Sequence, residues 1–199
     1  TEAPHAAEET GSGEIVWGAE SDASMMTAST NVTGSIKGWT NIGLDNRDAS
    51  FVLTNVPLKG VRVTIPSTAA FAYTDANGNF NISNAGTTAV GLTINFNNAE
   101  HQNGVTASTG TTLNLAPTAT PGVPLNVQIY TSTAASTDRA QTNAYYAIHE
   151  VNEYCKSIIG ALPAATDVVH TNVNLASTCN AFYSGNTVNF YAVGGGCVN

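Results

Sequence analysis

Between residues 31 and 130 the apolar positions recur with a period of two. Val61, Val63 and Ile65 alternate with polar residues, as do Phe71 and Tyr73, Phe80 and Ile82, and the run Val90, Leu92, Ile94, Phe96. Leu113 and Leu115, then Leu125, Val127 and Ile129, continue the pattern, and Ile36 and Trp39 fall in one further segment. Alternation of this kind places one face of a strand in a core and the other toward water. Turn-forming residues separate the segments: Pro57, Pro66, Asn77-Gly78, Asn103-Gly104 and Pro121-Gly122. About seven short strands with alternating faces predict an antiparallel β-sandwich.

After residue 130 the period changes. Thr131 to Thr137 reads as a short linker, and Ala144, Ile148, Val151, Cys155, Ile158 and Leu162 then step by four and three, an apolar helical stripe. Asp138 with Gln141 three residues later fits a capping box, and Gly160 and Pro163 fit the helix end. Val168–Leu175, Ala181–Tyr183 and Val188–Val193 are strand-like, with Ser184-Gly185-Asn186 as the turn between the last two. The predicted organisation is an acidic N-terminal arm (1–30), a β-sandwich domain (31–130) and a small α+β unit of one amphipathic helix plus a β-hairpin sheet (131–199). The whole is mainly β.

Composition narrows the function classes. Fourteen acidic residues against six basic ones give a net charge of -8 in 199 residues. A nucleic-acid binder needs clustered Lys and Arg, so that class is excluded, and an anionic membrane surface is disfavoured. No apolar run is long enough to predict a membrane span. Only 10% of the residues are charged, and Thr, Asn and Ser supply the polar surface instead. That balance is unusual for a cytosolic enzyme and points to a secreted or cell-surface β-protein. Thr1 to Glu9 has neither a basic n-region nor an apolar h-region, so Thr1 is expected to be a mature N-terminus. Six of the acidic residues fall within the first 22 positions, and Ile15, Val16 and Trp17 form the only apolar cluster there. This arm is a candidate for docking on another surface.

Candidate chemistry is sparse. Asp75-Ala76-Asn77-Gly78-Asn79 opens like a calcium loop, but its Gly comes too early and Gly86 stands where an EF-hand has its Glu. A hairpin turn at Asn77-Gly78, between Tyr73 and Phe80, explains it better. His149-Glu150-x-x-Glu153 resembles His-Glu-x-x-His but lacks the second histidine. These residues lie off the apolar stripe and are read as a solvated helix face. His5, His101 and His170 have no spacing that links them to it. No metal, no cofactor and no catalytic residue is expected. Cys155 lies on the apolar stripe and reads as a buried free thiol. Cys179 and Cys197 flank the last hairpin and are the natural disulfide pair, closing a loop worth ~3 kcal/mol in the chain-entropy model. Asn31-Val32-Thr33 and Asn81-Ile82-Ser83 match the glycosylation sequon, close to chance in a chain this rich in Asn and Thr.

Two resemblances add to this reading. Leu58-Lys59-Gly60-Val61-Arg62-Val63 followed by Tyr73-Thr74-Asp75-Ala76-Asn77-Gly78-Asn79-Phe80 resembles the carboxypeptidase-regulatory-like, or transthyretin-like, β-domain. That implies a non-catalytic accessory and admits a sugar- or surface-binding role. Residues 143–199 resemble the N-terminal part of the catalytic domain of thermolysin-like and fungalysin-like zinc metallopeptidases. Asn143 to Tyr154 is similar to their first helix, Cys179 to Tyr191 to their Asn-Ala-aromatic hairpin, and Gly194-Gly195-Gly196-Cys197-Val198-Asn199 to the stretch that follows. The resemblance implies that Asn180 and Ala181 sit on an edge strand that pairs with substrate. The family's zinc helix comes after the Gly-Cys stretch, and this sequence stops at Asn199. It therefore holds no complete active site, and the isolated chain is expected to carry no stoichiometric zinc.

The sequence leads to an exported, non-catalytic structural protein that self-associates through strand edges, as a surface or filament subunit derived from a metallopeptidase-like precursor. Its partners are other copies of itself or a processed C-terminal half, with Ile15, Val16 and Trp17 as an assembly arm. The alternative is the N-terminal fragment of a secreted zinc endopeptidase, inactive without its zinc-binding half.

Overall fold

A computed structural model describes residues 30–42, 52–161 and 168–194. The assembly arm and Cys197 lie outside the described residues, and so does the predicted pairing of Cys179 with Cys197. The described chain is mainly β, with one helix. In order come β1 (Val32–Ile42), β2 (Val52–Pro57), β3 (Arg62–Ile65), β4 (Ala70–Tyr73), β5 (Asn79–Ile82), β6 (Val90–Gly91), β7 (Thr93–Ile94) and β8 (Gln102–Ala107). They are followed by β9 (Thr118–Ala119), β10 (Leu125–Ile129), α1 (Ser136–Ile159), β11 (Val169–Thr178), β12 (Ala181–Ser184) and β13 (Thr187–Ala192).

The long strand β1 organises the first sheet. It pairs parallel with β10, and antiparallel with β5 at its start and β2 at its end. Its even positions Val32, Ile36, Gly38 and Thr40 are buried, so Trp39 points to the opposite face from Ile36. Gly34 lies where the sheet is tightest: a Cβ there would stand 2.0 Å from the Leu125 carbonyl oxygen. The second sheet runs β12-β13-β11-β8, and smaller sheets join β4-β3-β7 and β6-β9. Pairing is mixed rather than wholly antiparallel, because β1/β10, β11/β13 and β11/β8 are all parallel.

The predicted alternation holds along much of this region. Val61, Val63, Ile65, Phe80, Ile82, Leu92, Ile94 and Phe96 are all buried. Phe71 and Tyr73 alternate too, but they face water, where the Arg62 guanidinium lies 4.1 Å from the Phe71 ring centre. Asp75–Gly78 is a tight turn, closed by the Gly78 N–H donating to the Asp75 carbonyl. It does not join a hairpin: β4 pairs with β3 and β5 with β1, so the turn carries the chain between sheets. The Asp75 carboxylate accepts the Asn77 and Asn79 N–H groups at 2.8 Å, which holds its pKa below the ordinary value.

Asn103-Gly104, expected as a turn, lies inside β8, and neither residue has a positive φ. Pairing of β8 with β11 supplies the backbone partners that a local turn would otherwise supply. This pairing also joins a strand from before residue 130 to the C-terminal sheet. α1 packs on β1, β8 and β11, so its core is shared across that position. The segment before the helix is tied down as well: Arg139 Nη1 donates to the carbonyls of Ser132 and Ala134.

The helix occupies the expected span but presents the other face. Ala140, Gln141, Thr142, Ala144, Tyr145, His149 and Asn152 are buried. Val151, Ile158 and Ile159, together with Tyr154, are more than half exposed. The expected capping box is absent. Ala135 stands at the N-cap without a side-chain bond, and Gln141 turns inward to bond Leu113, Thr111 and Tyr130. Asn143 Oδ1 accepts from the Asn41 N–H and the Thr40 hydroxyl, and the Tyr145 hydroxyl donates to the Lys59 carbonyl. The polar face is inward because it meets loop and strand-end backbone, whose buried N–H and C=O groups need partners.

Candidate functional site

Two places carry chemistry, one at a strand edge and one beside the helix. At the edge, β12 and β13 form a hairpin closed by Gly185 and Asn186, both with φ near +58° (57 and 59). Two positive φ values in a two-residue loop define the turn that matches the natural twist of a hairpin. Ser184 faces Thr187, Tyr183 faces Val188 and Ala181 faces Phe190. In such a ladder every second residue turns both backbone groups away from its partner. Tyr183 and Ala181 are those residues in β12, since the Tyr191 N–H donates to the Asn180 carbonyl.

Among the described residues β12 is the last strand of its sheet, and all four of its residues are exposed. The outward Ala181 N–H donates to Asn180 Oδ1 at 2.9 Å. The amide side chain thereby fills the position that a carbonyl of an added strand would take. Asn180 and Ala181 thus stand together at an open edge. Behind it, uncharged polar side chains brace the sheet: Asn172 Nδ2 of β11 donates across to Asn189 Oδ1 of β13 at 2.8 Å, and within β13 Asn189 Nδ2 donates to Thr187 Oγ1 at 2.8 Å. This is one structural use of the Thr and Asn richness.

The second place was missed in the sequence. His149 is buried, at 3% exposure, rather than on a solvated face. Its ring centre lies 4.7 Å from that of His101, which sequence spacing had not connected to it. Glu100, His101 and His149 bring three potential ligand atoms within 4.8 Å of one another. His101 Nε2 is 2.9 Å from Glu153 Oε1, and the other oxygen of that carboxylate takes the Lys59 ammonium. His101 Nδ1 lies 3.4 Å from Lys156 Nζ.

Burial, reinforced by the neighbouring His101 and Lys59, pushes the His149 pKa down to about 4. The hydrogen bond from Lys59, and then that of His101, holds the Glu153 carboxyl down to about 2. Both His149 ring nitrogens are buried without a hydrogen-bond partner. The ring also borders a cleft of about 280 Å³ walled by Pro57, Leu58, Lys59 and Tyr146. Glu150 is exposed as expected. The signal missed in the sequence is the series Gln141, Tyr145, His149 and Asn152, stepping by four, four and three, which reads equally well as a polar surface.

Cys155 is a free thiol and half-buried, because the stripe it belongs to faces outward. No protein-family model, curated protein or solved structure matches the chain.

Proposed function

We propose that this chain is an exported, non-catalytic protein that takes an extended polypeptide onto the open edge of β12, and that the added strand comes from another copy of itself. The observation that carries the reading is the outward-facing backbone of Tyr183, with the outward Ala181 carbonyl, on a fully exposed terminal strand; the Ala181 N–H, held by Asn180 Oδ1, would exchange that side chain for the added strand. Such groups are satisfied by strand addition, with main-chain bonds giving affinity and alternate side chains giving register. The exposed Val151, Tyr154, Ile158 and Ile159 supply apolar surface of the kind that association covers.

A second reading takes up the metallopeptidase resemblance and is supported by the position of Ala181 at the start of β12, with Asn180 just before it. In it the added strand is a peptide substrate, and the chain is the inactive N-terminal part of a secreted zinc endopeptidase.

Tyr183→Pro separates these readings from none at all. The Tyr183 N–H points outward, so proline there spares the β12–β13 ladder and removes one donor from the open edge. The full chain should sediment as concentration-dependent oligomers, with slowed amide exchange across 181–184, and Tyr183→Pro should be monomeric while Tyr183→Thr assembles. A chain that stays monomeric but protects 181–184 when an extended peptide is added supports the second reading. No change at β12 under either condition overturns both.

A further inference from the structure

We propose that Glu100, His101 and His149 bind a divalent transition-metal ion of the zinc class, which enters by displacing the Lys156 ammonium from His101. The inference is independent of what binds β12, and these residues are not those of the zinc helix implied by the metallopeptidase resemblance.

The starting point is the orphaned imidazole of His149. A buried polar ring with both nitrogens unbonded is disfavoured, and native interiors rarely leave one so. A metal ion is one partner that uses a nitrogen lone pair and needs no donor. Two ligands each about 2.0–2.1 Å from a tetrahedral ion lie roughly 3.4 Å apart. Ligand atoms already within 4.8 Å need side-chain adjustments on the order of 1 Å to reach that geometry.

The surroundings fit the donor set. His101 Nε2 faces Glu153, the carboxylate–histidine arrangement that fixes a ring's tautomer in metal sites. The other ring nitrogen, Nδ1, faces a cation now, the Lys156 ammonium. Lys156 stands near the end of α1 on a flexible stem and can swing into water. Gly60 lies against both ligands: a Cβ there would stand 2.8 Å from His149 Cε1 and 3.0 Å from Glu100 Oε2. Two imidazoles select against calcium and magnesium, which take oxygen. Three protein ligands leave a fourth position for water. The facing charges are Glu100 and Glu153 against Lys59 and Lys156, which sum to zero, so departure of Lys156 leaves a net negative site for the incoming ion.

The test is zinc titration of the full, untagged chain by calorimetry after chelator treatment, with cobalt absorption as a second readout. One ion per chain is expected, with visible bands of a four-coordinate cobalt complex. Glu100→Gln and His149→Gln should each weaken binding by about tenfold or more. Lys156→Met should tighten it, and His170→Gln should leave it unchanged. Glu100 is exposed, so its variant stays informative if His149→Gln fails to fold. Absence of binding by the wild type, or binding that Glu100→Gln leaves intact, overturns the proposal. Weaker binding in Lys156→Met overturns the displacement step.

Discussion

Which face of α1 holds the protein together can be decided with two substitutions. Gln141 is fully buried and makes three bonds: its Oε1 accepts from the Leu113 N–H at 2.8 Å, and its Nε2 donates to the Thr111 carbonyl and the Tyr130 hydroxyl. Gln141→Leu keeps much of the volume and removes all three. The buried Leu113 N–H then loses its partner, at a cost of about 1–3 kcal/mol. Thr111 is exposed and its carbonyl can turn to water, while the lost Tyr130 bond adds about 0.5–1.5 kcal/mol. The sum is roughly 2–4 kcal/mol, a large share of the ~5–15 kcal/mol that holds a domain folded. Ile158→Ser acts on a side chain that is 68% exposed and should fall within about 0.5 kcal/mol of wild type. An apolar-stripe helix gives the opposite order, with the isoleucine costing about 2–5 kcal/mol. Urea unfolding followed by circular dichroism reads the difference. At slopes of about 1–3 kcal/mol/M, Gln141→Leu should lower the midpoint by about 0.7 M or more. Equal midpoints for Gln141→Leu and wild type, or a large loss in Ile158→Ser, would refute the packing described here.

Three further outcomes are expected. Burial pushes the Tyr130 hydroxyl from 10.0 up to about 12, so its stabilising effect is complete below pH 10 and lost as pH rises toward 12. Spectrophotometric titration should show late-titrating tyrosines, the buried Tyr145 among them, and Tyr130→Phe should reduce that late component by one group; an undiminished late component would contradict the assignment. Gly34→Ala drives a Cβ against the Leu125 carbonyl and the Phe80 ring, so it should cost at least about 1–3 kcal/mol in the same urea assay; a neutral result would mean that β1 and β10 are not paired as described. Alkylation of the native, unreduced chain should label one thiol, Cys155, and after reduction three; Cys155→Ser should then show none before reduction.

The strands and the helix were legible because their signals are local. Val61, Val63 and Ile65 alternate because each second side chain enters the core, and Gly160 ends α1 where the sequence placed its end. The pairing was not legible. β8 carries Asn103-Gly104, a sequence that favours a turn, and became a strand through its distant neighbour β11. Nor does alternation distinguish a parallel partner from an antiparallel one. β1 and β10 therefore read as two ordinary strands, though they lie side by side from opposite ends of the first region.

The misread helix face explains why the histidine cluster was not found. The β12–β13 hairpin could be placed because it is contiguous, with the turn at Gly185 and Asn186 setting its register; Asn180 and Ala181 are singled out only through the metallopeptidase resemblance. His149 depends on three separate parts of the chain: Lys59 and Gly60, Glu100 and His101, and α1 itself. A helix whose inward face is Gln141, Tyr145, His149 and Asn152 has exchanged apolar burial for hydrogen bonds to loop backbone. That exchange is favourable only when every inward polar group finds a partner, since an unpaired one costs more than its bond returns. Gln141 and the Tyr145 hydroxyl meet the condition. His149 does not, and neither does the buried Thr142 hydroxyl. Of the two, His149 borders a cleft beside a second histidine and a carboxylate, where ligand chemistry is already assembled and an incomplete polar network has a use.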